Sequence, residues 1–284
     1  MSTISVIVLN YNSSADCCKC VADLKQQEGV ELEIIIVDNC SRTEDALAVE
    51  KLAAEQGCTF IAAKENRGYN AGNNIGLRYA AGKGYSYALI ANPDMEFPEI
   101  DYVIRLVSKM DDDDTIAVCG SNIVGIDGNR QSPRKFISYW MELFWFVHSF
   151  KKIFAKKKSD ILSAENQFCE ILMGSCIMVR MSFITKIGFF DEQVFLYCEE
   201  PILGKQVAKE GLKMFYLHDA KAIHSHVDSE KGSFIKRHDI YYKSRWYYLK
   251  KYAGYSDFEL MPMFISKKIY YIVKRLQFII CGVK

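Results

Sequence analysis

No apolar run in this 284-residue chain reaches the roughly 18 residues expected of a membrane-spanning helix, so no segment reads as a span. An excess of either charge is also lacking. The 36 Lys and Arg stand against 35 Asp and Glu, a net charge of +1, and bulk charge gives no footing for nucleic-acid binding. No G-x-G-x-x-G follows the first apolar run, which disfavours a nicotinamide oxidoreductase. Gly76 to Lys83 is one residue too long for a phosphate loop, and Gly84 stands where Ser or Thr is needed. Cys17 and Cys20 form a C-x-x-C, but no second pair follows at zinc-finger spacing. The Asp111–Asp114 run lacks the alternating ligands and glycine of a calcium loop and reads as a solvated turn. There is no internal repeat and no low-complexity linker. Met1-Ser2-Thr3 leads straight into a strand pattern rather than a cleavable signal; with 10 cysteines, a reducing cytoplasm is expected.

What is present is a regular alternation. Ile4–Leu9 and Leu32–Val37 are short β-branched runs of the kind buried on both faces of a parallel sheet. Ser13 or Ser14 can cap a first helix running to about Gln27, and Ser41-Arg42-Thr43-Glu44 has the form of a capping box for a second. A short strand near 59–62, a glycine-rich turn, a helix over 70–81 and a strand over 85–91 follow. Strand–helix alternation implies a parallel sheet with crossover helices, whose ligands bind beyond the carboxyl ends of the strands. Asn10-Tyr11-Asn12, Asp38-Asn39, Gly68-Tyr69 and Asn92-Pro93-Asp94 all fall at that edge. Further on, Ile116–Cys119 reads as a strand, and Phe168–Arg180 as a longer one interrupted at Gly174-Ser175. A turn at 188–192 precedes a helix from Glu199 to about Glu210, and His224-Ser225-His226 follows another short strand.

Several residues have both a structural and a chemical reading. Asp38 can form an Asx turn or accept hydrogen bonds from a base or ribose. Asp94 is either a turn residue or a ligand for a cation held mainly by a diphosphate, which needs only one or two protein carboxylates. Glu199 and Glu200 either stabilise a helix N-terminus or include a general base; their side chains point different ways, so at most one is that base. His224 and His226 share a face of a strand, so one can ligate a metal or bind phosphate, or both can be solvated.

In this order the segments Val6–Asn12, Ile36–Ser41, Asn66–Gly76, Asn92-Pro93-Asp94, Gly188–Glu192 and Phe195–Glu200 resemble family 2 glycosyltransferases, specifically the rhamnosyltransferase-like branch, over roughly residues 3–250. The resemblance implies an α/β chain of the GT-A fold: a Rossmann-like, mostly parallel sheet flanked by helices, with a C-terminal helical, amphipathic extension. It implies a catalytic domain over 1–255, nucleotide-binding over about 1–125 and acceptor-side over about 126–255, followed by a tail at 256–284. The implied activity is inverting, non-processive transfer of a hexosyl or rhamnosyl group from a UDP-, dTDP- or GDP-sugar to a glycan or polyprenyl-diphosphate-linked acceptor, in assembly of a bacterial surface polysaccharide. Asn10, Tyr11, Asn12, Asp38, Asn39, Arg67, Gly68, Asn74 and Asn92 would serve the donor. Gly174, Ser175, Asp191 and Tyr197 would serve the acceptor side. Asp94, in the place of the last Asp of the family's Asp-x-Asp, would hold Mg²⁺ or Mn²⁺ with His224. Glu200, with Glu199 beside it, would carry the base. The first Asp of that motif is Asn92 here, and Ile202 and Gln206 stand where the family often has Asp and Arg. Tyr242-Lys243-Ser244-Arg245-Trp246 lacks the Gln of the processive Gln-x-x-Arg-Trp, which favours single addition.

The tail repeats Ile269, Ile272, Val273, Leu276, Ile279 and Ile280 at helical spacing, with Lys267, Lys268, Lys274 and Arg275 mostly off that stripe. Aromatics and lysines are likewise interleaved over 140–158. Such a basic amphipathic surface is expected to meet an anionic membrane, peripherally on its inner face, or to pack on the catalytic domain or a partner. Two rivals remain. A sugar nucleotidyltransferase is disfavoured because the loop after the first strand, Asn10–Ser14, has no glycine. A non-catalytic sugar-nucleotide-binding assembly subunit would keep Asp38 and Asp94 without needing Glu200.

Overall fold

The computed structural model describes residues 3–144, 164–225 and 234–281; the Trp145–Lys158 part of the aromatic stretch and His226 lie outside them. β1 (Thr3–Asn10) lies at the centre of one half of the sheet, parallel to β2 (Glu31–Asp38) on one side and β4 (Tyr87–Ala91) on the other. β3 (Thr59–Ala62) extends that edge in parallel. β8 (Cys176–Arg180) runs antiparallel between β4 and β6 (Ile116–Gly125), and β6 pairs in parallel with β9 (Lys213–His224). The order is β3-β2-β1-β4-β8-β6-β9-β5. β5 (Met95–Glu96) and β7 (Gln167–Cys169) pair antiparallel with the end and the start of β9, respectively.

The period-2 geometry of a strand explains the two cores. Ile4, Val6 and Val8 of β1 face α1 (Ser14–Lys25), α2 (Thr43–Gln56) and α4 (Tyr102–Asp111). Ile7 and Leu9 face α3 (Tyr69–Lys83), α6 (Met181–Lys186) and α7 (Glu199–Lys209). The α3 backbone approaches β1 closely because Gly72 and Gly76 meet it. A Cβ at Gly72 would stand 2.5 Å from Leu9, and one at Gly76 2.7 Å from Ile7.

A third cluster joins Val194, Cys198 and Ile202 to Tyr248 and Leu249 of α8 (Phe234–Lys251) and to Leu260 and Met263 of α9 (Asp257–Cys281). Short α5 (Tyr139–Leu143) packs on α9.

Three local expectations are corrected. The Ser41–Glu44 capping box does not form: the Ser41 hydroxyl instead accepts from Asn10 Nδ2 (3.1 Å) and the Asn12 N–H (3.0 Å), and α2 has no side-chain cap. Nor does Ser13 cap α1; its hydroxyl donates to Asn10 Oδ1, and Asp45 of α2 accepts the Ser14 N–H at 2.9 Å. Phe168–Arg180 is not one interrupted strand. The turn at Gly174-Ser175 separates β7 from β8, which pair with different partners.

Candidate active site

Parallel register places Asn10 opposite Asp38 at the carboxyl ends of β1 and β2. Asn10 is fully buried, its Nδ2 donating to Asp38 Oδ1 (2.9 Å) and Asp45 Oδ1 (2.7 Å), while Asp38 Oδ2 accepts the Ser41 N–H (3.1 Å). Asn10 therefore orients Asp38 rather than presenting its own amide. Tyr11 beside them is exposed, and Asn12, at φ 55°, accepts the Arg42 N–H. Buried Asn39 reaches Asn66 Oδ1 at 3.2 Å.

The glycine/asparagine motif is a clasp on the 188–197 segment. The Tyr69 N–H donates to Phe195 O (2.9 Å), and Asn70 Nδ2 to Asp191 O (2.7 Å). Asn74, fully buried, donates to Phe190 O and accepts the Phe190 N–H. Arg67 and Arg78 pair with Glu192 at 3.3 and 2.7 Å. Gly68 adopts φ 99°, and a Cβ there would overlap the Phe195 carbonyl oxygen and lie 2.6 Å from Phe195 Cα. A Gly68→Ala variant is expected to lose about 3 kcal/mol or more of stability in urea denaturation, since neither backbone can yield cheaply.

That clasp fixes the approach to α7. Tyr197 and Cys198 both adopt left-handed backbone, φ 73° and 65°, immediately before Glu199. Two such non-glycine residues in succession store strain that the neighbouring packing must hold. They deliver Glu199 and Glu200 into a cavity of about 410 Å³ whose walls include Asn92, Gly174, Ser175, Tyr197 and His224. Seven residues singled out in the sequence thus meet in one place. Gly174 packs closely against the pair: a Cβ there would stand 3.3 Å from Glu200 Cγ, and the Gly174 carbonyl accepts the Tyr69 hydroxyl at 2.7 Å. Glu199 Oε1 is buried without a hydrogen-bond partner, and burial, then the charge of Glu200, pushes its carboxyl up to about 8.

Asp94 joins the site through strand pairing. Met95 of β5 lies opposite His224 of β9, which brings Asp94 Oδ2 to 3.2 Å from His224 Nε2; His224 Nδ1 contacts Gln131 Oε1 at 2.8 Å. One carboxylate and one imidazole at the cavity's edge suit a divalent cation whose other positions are filled by diphosphate and water. No cluster of three or more His, Cys, Asp or Glu exists among the described residues, so the protein alone would not enclose the ion.

Asp191 is placed away from the cavity wall. Its Oδ2 accepts from Tyr247 (2.7 Å), Tyr252 (2.5 Å) and Lys251 (3.1 Å), tying the 188–197 segment to α8. Burial alone would raise its carboxyl, but the bonds from Tyr252, the Gln193 N–H, Tyr247 and Lys251 outweigh it and leave the group below its usual range. Tyr69, placed at the ligand edge by its position in the sequence, lines the cavity, whereas the sequence reading missed Arg134, Lys135, Tyr241, Arg245 and Tyr248. Of these, only Arg245 carried a signal, the Arg-Trp pair.

The sheet order, with the Glu-Glu helix start and His224, the partner of Asp94, on one cavity, is that of a GT-A glycosyltransferase. The family described as Glycosyl transferase family 2 matches residues 5–188, and the chain belongs to it. A low-salt glycan biosynthesis hexosyltransferase, Agl10, of Haloferax volcanii is 23% identical over 290 residues, 96% of this chain and 88% of that protein. Rhamnosyltransferase WbbL of Escherichia coli is 23% identical over 252 residues, 86% of this chain and 92% of its own. Among solved structures, the mannosyltransferase PcManGT of Pyrobaculum calidifontis, in complex with GDP-Man and Mn²⁺, aligns with TM-score 0.61 at 17% identity, covering 93% of this chain and 68% of that one.

Proposed function

We propose that the protein transfers one hexosyl or deoxyhexosyl unit from a nucleoside-diphosphate sugar to a glycan or lipid-linked acceptor, with inversion, in cell-surface polysaccharide assembly. The observation that carries this reading is the shared cavity: the Glu199–Glu200 pair and His224, itself bonded to Asp94, stand on its walls. Tyr11 and Asp38 receive the nucleoside, with Asn10 holding Asp38 in place. Glu199 keeps a proton at neutral pH, because two adjacent carboxylates in a dry pocket do not both ionise cheaply. Glu200 is then the base that removes the acceptor hydroxyl proton as that oxygen attacks the anomeric carbon. Asp94 and His224 would hold Mg²⁺ or Mn²⁺, which when bound neutralises charge on the departing diphosphate.

No helix among the described residues is long and apolar enough to cross a membrane. α9 does expose Phe258, Met261, Ile265, Ile269 and Ile272, at spacings of one helical face; Trp140 of α5 and Phe144 just after it are exposed too. This face supports peripheral membrane contact. Lys267 is not part of a basic outer face, since it turns inward to Glu142 at 2.8 Å. The side chains of Val273, Leu276, Ile279 and Ile280 lie outside those described.

The test is release of nucleoside diphosphate from a panel of UDP-, dTDP- and GDP-sugars with Mn²⁺. One donor is expected to be consumed, and Asp94→Ala or exhaustive chelation to reduce turnover about 10²-fold or more. Full turnover after chelation would remove the metal, and donor binding without any turnover would favour a non-catalytic assembly subunit.

A further inference from the structure

A second cavity, of about 560 Å³, lies between α8 and α9 and is walled by Tyr242, Trp246, Tyr247 and Phe264. Such a volume is in the range of small-ligand sites. Its aromatic wall is ordered: Phe264 packs against Trp246 at 5.6 Å and against Tyr242 at 6.0 Å between ring centroids. Three lysines stand at its rim. Lys250 is held by Asp257 and Lys251 by Asp191, while Lys243 is exposed.

The groove and the active-site cavity border a common small cavity. A small cavity of about 20 Å³ shares Tyr241 and Arg245 with the Glu199–Glu200 pocket and shares Tyr242, Trp246 and Phe264 with the groove. Arg245 stands at this junction. It is only 7% exposed, and its Nε is buried without a hydrogen-bond partner. Its guanidinium pairs with Glu142, but Glu142 is shared with Lys267, so two cations face one carboxylate. Among the described residues, Glu142 is the one carboxylate in ion-pair contact with these two cations, and Arg245 lies between a polar pocket and an apolar groove.

We propose that the α8–α9 groove binds the hydrocarbon chain of a lipid-linked acceptor, with Arg245 meeting the phosphate that joins chain to sugar. The inference rests on the transferase reading above and adds the acceptor's class and its seat. Polar sugar, anion and apolar chain then follow one another from Glu200 past Arg245 to Trp246 and Phe264. Each methylene moved from water into the groove multiplies affinity by about fourfold. An anion alone, or a hydrocarbon alone, uses only part of this surface.

The test is binding of farnesyl diphosphate to the full chain by calorimetry, beside inorganic diphosphate and farnesol. Farnesyl diphosphate is expected to bind at least about tenfold more tightly than either fragment. Phe264→Glu, and independently the rim variant Lys243→Glu, is expected to weaken it by about tenfold or more, with circular dichroism confirming the fold. Equal affinity for inorganic diphosphate, or unchanged affinity in both variants, would overturn the proposal. A dimer in sedimentation that Phe264→Glu dissociates would assign the groove to a second copy and overturn it as well. If nucleotide sugar is consumed while farnesyl diphosphate does not bind, the groove assignment fails and the transferase reading stands. If no donor is consumed or bound, the transferase reading fails, and the groove assignment with it.

Discussion

Replacing Glu200 by Gln is expected to lower turnover by about 10²–10⁴ while donor affinity stays near that of the parent protein. The amide preserves shape and cannot take a proton. Glu199→Gln is expected to behave differently. Its carboxyl sits at about 8, raised by burial and then by the neighbouring Glu200 charge, so near pH 7 it is mostly protonated and Gln mimics that state. Turnover at pH 7 should change by less than about tenfold, and the parent's inflection near pH 8 should vanish. The stability sign follows from the same group. Its folded pKa lies above the unfolded value of about 4.3, so the folded state binds the extra proton and stability from this residue falls as pH rises between those limits. Glu199→Gln should therefore raise the melting temperature more at pH 8 than at pH 5. A turnover collapse in Glu199→Gln with an active Glu200→Gln would reverse the two roles.

The first half of the chain was legible because its signals are local. The β-branched runs of β1 and β2 are buried on both faces, and the strand ends carry their polar residues at the ligand edge. The glycine/asparagine motif was legible as important, but what it contacts was not. Asn70 and Asn74 find their partners 121 and 116 residues away, in the segment that presents Glu199 and Glu200. Sequence order could pair the two motifs only by resemblance. β9 was underestimated as a short strand because its mixed sequence, Lys213–His224, carries a register shift against β6 between Ser121 and Asn122. That strand places His224 opposite Met95 and so beside Asp94, a proximity no spacing rule supplies. The resemblance alone put Asp191 on the acceptor side, whereas its donors Tyr247 and Tyr252 lie 56 and 61 residues further on. Local propensity likewise failed for Ser41, whose hydroxyl serves Asn10 and Asn12 across strands instead of capping its own helix.

Glu142→Gln is expected to destabilise the protein by about 3–5 kcal/mol, a drop in melting temperature on the order of 10 °C for a chain of this size. Glu142 is only 4% exposed and receives both Arg245 and Lys267, so its loss leaves two cations buried without a counter-charge. The triad links α5, α8 and α9, and the loss should be largest in those elements by hydrogen exchange. Its pH dependence has a definite sign. Burial, and then the charge of Arg245, lowers the Lys267 ammonium to about 8. By pH 9 that residue has mostly lost its proton, one buried cation remains instead of two, and the penalty of Glu142→Gln should shrink relative to pH 7. Replacing Glu142, Arg245 and Lys267 together by Leu, Met and Leu should cost far less than the single change, since a fully apolar set leaves no charge uncompensated. Equal melting temperatures for the parent and Glu142→Gln at pH 7 would mean that water already reaches the cluster. Arg245 would then be solvated at the back of the acceptor pocket rather than held there by its carboxylate.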